Sequence, residues 1–185
     1  MKTLIRLLML GVWLGILMGL TAGASDTIKI AAIFAQTGEA ASDNVSSLHG
    51  VHLAIHDINA QGGILGSPLE LLVFDNRSTP IGSKIAADQA IAAGVIAIIG
   101  AQWSSHSLVI AREAQTHQIP MITNYSTDPD VTRIGDYIFR VCFIDSLQGQ
   151  ALAQFARHDL KAVTAVMLTN VTSDYSMGLA ATFRA

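Results

Sequence analysis

The residues of this sequence that could do chemistry fall into five groups, and four of them lead away from catalysis. His49, His52 and His56 stand at i, i+3 and i+7, within about 60° of one another around a helix. His52 and His56 have the four-residue spacing with which two imidazoles share a metal, and Asp57 is adjacent. Their arc lies beside the apolar stripe of the same segment, and no second Cys/His cluster completes a ligand set, so a solvated helix shoulder is expected and no metal site. Ser104 and His106 are two residues apart, project to different sides of a helix start, and lack a G-x-S-x-G elbow. The single cysteine, Cys142, lies in an apolar run expected to be a strand, where an inert buried thiol outweighs a nucleophile. Asp128 and Asp130 flank Pro129, the composition of a helix N-terminus after a cap at Thr127. With neither G-x-G-x-x-G nor a phosphate-loop lysine motif present, nucleotide chemistry has little support.

The fifth group is a pair of similar strand exits. In IAIIGAQWSSHS, residues 96–107, a β-branched run stops at Gly100, passes through Gln102, Trp103, Ser104 and Ser105, and enters a helical pattern. Asn124 to Thr127 repeats the theme, with Tyr125, Ser126 and Thr127 ahead of a second helix signal. Side-chain oxygens and free backbone N–H groups would converge there from neighbouring strands, an arrangement suited to a ligand carboxylate. Simple capping by Ser104 and Thr127 of their own helices is the plainer alternative.

A sheet is needed to bring the two exits together. IKIAAIF from Ile28 reads as a parallel-type strand, and residues 35–47 as a loop. Leu48, Val51, Ile55 and Ile58 mark one face of a helix ended by Gly62 and Gly63. Strands follow at 69–74, 95–99 and 119–123, with helices from Pro80 to Ala93 and from Ser104 to Gln115. The segments 137–143 and 162–170 read as further strands, 145–160 as a helix, and TSDYSMGLA as a loop entering another. Strand and helix alternate in units of about 30 residues, the mark of an α/β fold with a doubly wound parallel sheet and right-handed crossovers.

Lys2 and Arg6, the apolar run 7–20 and Ala22-Gly23-Ala24 have the form of a signal peptide cleaved after Ala24. The run is short for a membrane span, which needs roughly 20 residues. Without residues 1–24 the net charge of −3 becomes −5, so no basic footprint for nucleic acid is present. One cysteine excludes an internal disulfide, leaving stability to the core.

The chain from Ile28 onward resembles the type I periplasmic binding proteins of the leucine/isoleucine/valine-binding group, the solute receptors of ABC importers. The likeness rests on DINAQGGILGSPLELLVFD, Pro80, IIGAQWSS, IPMITNYSTDP, FRVCFIDSLQGQALA and DYSMGLA, in that order and spacing. It implies a first lobe over residues 25–143, the start of a second over 144–185, and a small solute closed between two lobes. Members of the family are roughly twice this length, so a fragment is expected. By the resemblance, ligand-carboxylate contacts fall on Ser104 and Thr127, while Gln102, Trp103, Tyr125 and Ser126 line the first-lobe wall and Tyr175 closes from the second. The acid that holds a ligand ammonium falls beyond residue 185.

Three departures mark this chain: Asp43 where amino-acid-binding relatives often have an aromatic, Ser78 and Trp103 where some have a disulfide, and Tyr125 in place of a small residue. They imply a smaller, flatter or more polar ligand than leucine. The function implied is an extracytoplasmic, non-enzymatic receptor for an amino acid, amide or similar solute, with an ABC permease as partner and no cofactor. A ligand sensor reporting to a signalling partner is the alternative on the same fold.

Overall fold

β1 (Ile28–Phe34) lies inside the sheet because its sequence leaves neither face for water: Ala31, Ala32, Ile33 and Phe34 are all fully buried. The computed structural model describes residues 27–185; the leader and its cleavage site lie outside the described residues. Beside β1 stand β2 (Leu69–Asp75) and β3 (Ala97–Gly100), and the sheet continues through β4 (Met121–Thr123) to β5 (Ile138–Arg140). All four pairings are parallel and the spatial order is β2-β1-β3-β4-β5. The winding direction reverses between β1 and β3, so their carboxyl ends diverge and open the crevice in which sheets of this kind hold ligands.

α1 (Ala41–Ala60) packs against β1 and β2, while α2 (Pro80–Ala92) and α3 (Ser104–Thr116) pack on each other across the face that carries Ala31, Ile33, Ile98 and Met121. Ala86, Ala87 and Ala90 of α2 and Ala111 and Ala114 of α3 bury completely, which lets these helices approach the sheet closely. α4 (Asp130–Arg133) is a single turn, α5 (Asp145–Gln154) runs into a π-helical turn at Phe155–Asp159, and α6 (Asp174–Arg184) lies against α5. No described helix is long and apolar enough to cross a membrane.

The motif after α1 has a plain structural purpose. Asn59 clamps the start of β2 at both ends of its amide, donating to the Leu69 carbonyl (2.8 Å) and accepting from the Leu69 N–H (2.7 Å). Gly63, at φ 76°, passes so close to the Ser67 carbonyl that a Cβ would collide with it.

Several boundaries differ from those the sequence suggests. α1 begins at Ala41, inside the segment read as loop, because Asn44 is buried and its amide donates to the Ala40 carbonyl (2.7 Å) and accepts from the Ala35 N–H (3.3 Å). Tertiary hydrogen bonds, with no apolar stripe to announce them, start that helix. The third strand runs to Gly100, and the strand expected over 137–143 narrows to Ile138–Arg140, leaving Cys142 half-buried in a turn. Residues 162–170, expected as a strand, form no strand and pair with none among the described residues, and Val163, Val166 and Leu168 are exposed. Apolar β-branched residues do not make a strand without a neighbour to satisfy the backbone.

Gly100 ends β3 at φ 120°, and a Cβ there would collide with the Ile33 carbonyl of β1. Gly100→Ala is expected to destabilise the full-length protein by at least about 2 kcal/mol, read by chemical denaturation, because strain and collision act together.

Candidate functional site

Past Gly100 the backbone enters a buried knot of hydroxyls. The Ala101 N–H donates to Ser107 Oγ (3.1 Å), Ser107 Oγ lies 2.6 Å from Ser126 Oγ, and Ser126 Oγ donates to the Ala101 carbonyl (3.1 Å). Thr123 Oγ1 donates to the same carbonyl at 2.7 Å. Ser107, Thr123 and Ser126 are fully buried, so this closed circuit satisfies groups that water cannot reach. It also fuses the β3 exit, the first turn of α3 and the β4 exit into one rigid piece. Arg140 completes the brace: its guanidinium donates to the carbonyls of Ser126 (2.7 Å) and Asp128 (2.8 Å) and to Thr132 Oγ1 (2.7 Å).

The knot holds α3 with its N-terminus at the wall of a cavity of about 860 Å³. Neither capping expectation is met. Ser104 is the first helical residue, after an N-cap position at Trp103 that makes no side-chain cap, and its Oγ instead accepts from the Asp128 N–H at 3.3 Å. Thr127 stands three residues ahead of α4 and caps nothing there. Both side chains are buried at the cavity wall, beside first-turn amides of α3 that no side chain caps. A helix N-terminus with open donors and a positive dipole end favours an anion.

Six of the seven residues expected at the site line this cavity: Gln102, Trp103, Ser104, Tyr125, Thr127 and Tyr175. Ser126 does not, because its hydroxyl is spent inside the knot; the expectation that it lines the wall is corrected here. Gln102 accepts from Ser47 Oγ (2.9 Å), which ties α1 to the β3 exit. Facing the sheet across the cavity stand Asn170, Thr172, Ser173, Tyr175 and Ser176 at the start of α6. Ser173 caps α6 by accepting from the Ser176 N–H, and Gln148 of α5 reaches toward the Tyr175 hydroxyl at 3.5 Å.

Sequence reasoning did not find Glu39 and His106 as lining residues. His106 was weighed as the partner of Ser104; it stacks instead on Trp103 three residues earlier, ring centroids 5.4 Å apart, the spacing that brings side chains together on a helix. Its protonation state follows from a chain of fixed donors. Buried Asn76 accepts from the Ser78 N–H through Oδ1 (3.0 Å), so its Nδ2 donates to His106 Nδ1 (3.3 Å) and leaves the imidazole neutral with its proton on Nε2. Burial pushes the His106 pKa below 6.5, against the Ser78 carbonyl and the Glu39 carboxylate, which favour the cation. Ser78 clamps the loop before α1 through its hydroxyl, donating to the Thr37 carbonyl (2.7 Å) and accepting from the Ala40 N–H (3.0 Å). Asp75 holds the same loop: burial opposes its charge, but N–H and hydroxyl donors from Gln36, Thr37 and Arg77 outweigh that and keep its pKa low.

Elsewhere the possible chemistry is quiet. His49, His52 and His56 are exposed on α1, and no group of three or more metal-binding side chains occurs among the described residues. Burial raises the Cys142 pKa and keeps the thiol protonated.

Residues 27–185 match the family described as periplasmic binding protein. The chain belongs to that family. The leucine-specific-binding protein of Salmonella typhimurium is 30% identical over 157 residues, 84% of this chain and 42% of the relative. Among solved structures, the leucine binding protein LivK of Thermotoga maritima superposes with a TM-score of 0.80 at 39% identity, over 85% of this chain and 45% of that one. LivJ of Streptococcus pneumoniae, in complex with isoleucine, gives 0.80 at 31% identity, over 86% and 46%. The chain thus spans less than half the length of the relatives it matches. This periplasmic binding protein chain has the parallel α/β sheet of those structures, covering about one lobe of them.

The neutral His106 sets a pH dependence. Its folded pKa is depressed, so the unfolded chain binds more protons below 6.5, and stability is full above that value and falls as the pH drops below it. In thermal melts of the full-length protein between pH 7.5 and 5, His106→Gln is expected to flatten this decline.

Proposed function

We propose that the protein is the extracytoplasmic solute-binding component of an ABC importer and holds an amino acid, amide or similar small carboxylate between two lobes. The division is residues 25–143 for the first lobe, with the second beginning at 144. The observation that carries this reading is the two-sided cavity: Ser104 and Thr127, on the rigid sheet side, face Tyr175 and the hydroxyl-rich start of α6 across one space. Two helix N-termini, those of α3 and α6, meet at that space, which suits a carboxylate. Family membership supports binding without covalent chemistry.

In the mechanism, the ligand carboxylate docks first on Ser104, Thr127 and the amides of the first turn of α3, which the hydroxyl knot holds in place without reorganisation. Contacts from the α6 side form only when the lobes approach, so the ligand binds the closed state more tightly and shifts the hinge equilibrium toward it. The closed form is then the one a membrane permease recognises. Cleavage after Ala24 would release the protein to the periplasm or the exterior.

Each hydroxyl that meets a charged carboxylate contributes about 1.5–3 kcal/mol, so Ser104→Ala and Thr127→Ala are each expected to weaken binding roughly 10- to 100-fold. Calorimetry on the full-length protein, with the solute found by a thermal-shift screen of amino acids and amides, checks this. Unchanged affinity in both variants contradicts the site.

A further inference from the structure

Among the described residues, the charges that line the cavity are all of one sign. Glu39 stands just ahead of α1 and Asp43 in its first turn, and both face the space; no described lysine or arginine does. The one imidazole that lines it among the described residues, His106, is kept neutral by burial, with the Asn76 amide at its Nδ1. Arg140, the cation nearest the β4 exit, spends its guanidinium on backbone carbonyls and Thr132. None of the three ion pairs among the described residues includes Glu39 or Asp43, nor does either carboxylate accept a hydrogen bond there. An acid in the first turn of a helix is stabilised by the dipole, which accounts for Asp43 alone. Glu39 precedes the helix, and its charge is felt at the His106 ring that backs Trp103, inside the wall of the site.

A further observation points the same way. Trp103, Tyr125 and Tyr175 contribute aromatic surface to the same cavity, and aromatic faces attract cations.

We infer that the cavity takes a small zwitterion with a second, distal positive charge, of the arginine or lysine type: its carboxylate on the N-terminus of α3, its distal cation at Glu39 and Asp43 against the Trp103 and Tyr125 rings. The inference rests on the reading of the cavity as the solute site and adds the ligand's charge. Both acids are exposed, so each ion pair is worth little singly and is screened by salt. Their combined effect appears as selectivity.

The test is calorimetric titration of the full-length protein with L-arginine, L-lysine and L-leucine at 20 mM and 300 mM sodium chloride, for the native protein and for Glu39→Gln, Asp43→Asn and Ser104→Ala. Arginine or lysine is expected to bind at least ten-fold more tightly than leucine at low salt. That ratio is expected to shrink at high salt and to fall roughly three- to five-fold in each acid variant. Leucine binding as tightly as either base, with Ser104→Ala still weakening it, overturns the charge assignment and leaves the solute site standing. A base preference that neither acid variant alters also overturns the assignment. Binding that Ser104→Ala does not affect, or no binding of any of the three, overturns the inference, and insensitivity to Ser104 removes the site beneath it.

Discussion

The Ala101 peptide is the point on which the rest of the structure depends. Gly100 brings β3 hard against the Ile33 carbonyl, and the next residue offers a buried N–H and carbonyl that no strand can pair. Ser107, Ser126 and Thr123 answer both groups from three different segments. A buried polar group left alone costs about 1–3 kcal/mol, so the three hydroxyls hold together two strand exits and one helix start. Removing any of them would loosen the others, since each relies on its neighbour for a donor or an acceptor.

That rigidity explains how a small, mostly aliphatic sheet can present a polar site. The β2-β1-β3-β4-β5 order opens a crevice between β1 and β3, and the knot aims the free end of α3 into it. The loop before α1 forms the other side of the crevice and is pinned by Asp75 and Ser78. Asp145, at the start of α5, carries a different kind of tension. It is buried with neither oxygen in a good hydrogen bond, while its N–H donates to the Thr127 carbonyl at 2.9 Å. Burial raises its pKa, the nearby Asp128 adds to the rise, and the Thr127 hydroxyl and Arg140 offset part of it. The segment after β5 therefore meets the Tyr125–Thr127 loop through the Asp145 N–H, with a carboxyl that resists ionisation buried beside it.

Much of this was legible in the residues. Aliphatic runs broken by glycine and followed by helical patterns announce parallel βα units, and IAIIGAQWSSHS and NYST announce strand exits at the binding end of the sheet. What escaped depended on contacts between distant segments. Nothing in YST separates Ser126 from its neighbours, yet Ser126 turns inward to the knot while Tyr125 and Thr127 reach the cavity. The buried Asn44 starts α1 through bonds to Ala35 and Ala40, invisible to a search for apolar periodicity. The run 162–170 has the composition of a strand, but strand formation is decided by a partner, and none of the described residues supplies one.

A crystal structure of the full-length protein grown with its identified solute tests the role of α3 most directly. An acidic group of the solute is expected within hydrogen-bond distance of Ser104 Oγ and the Ser105 N–H, on the open turn of α3, with Tyr175 closing over it. A solute bound elsewhere, or one that leaves the N-terminus of α3 to water, would contradict it.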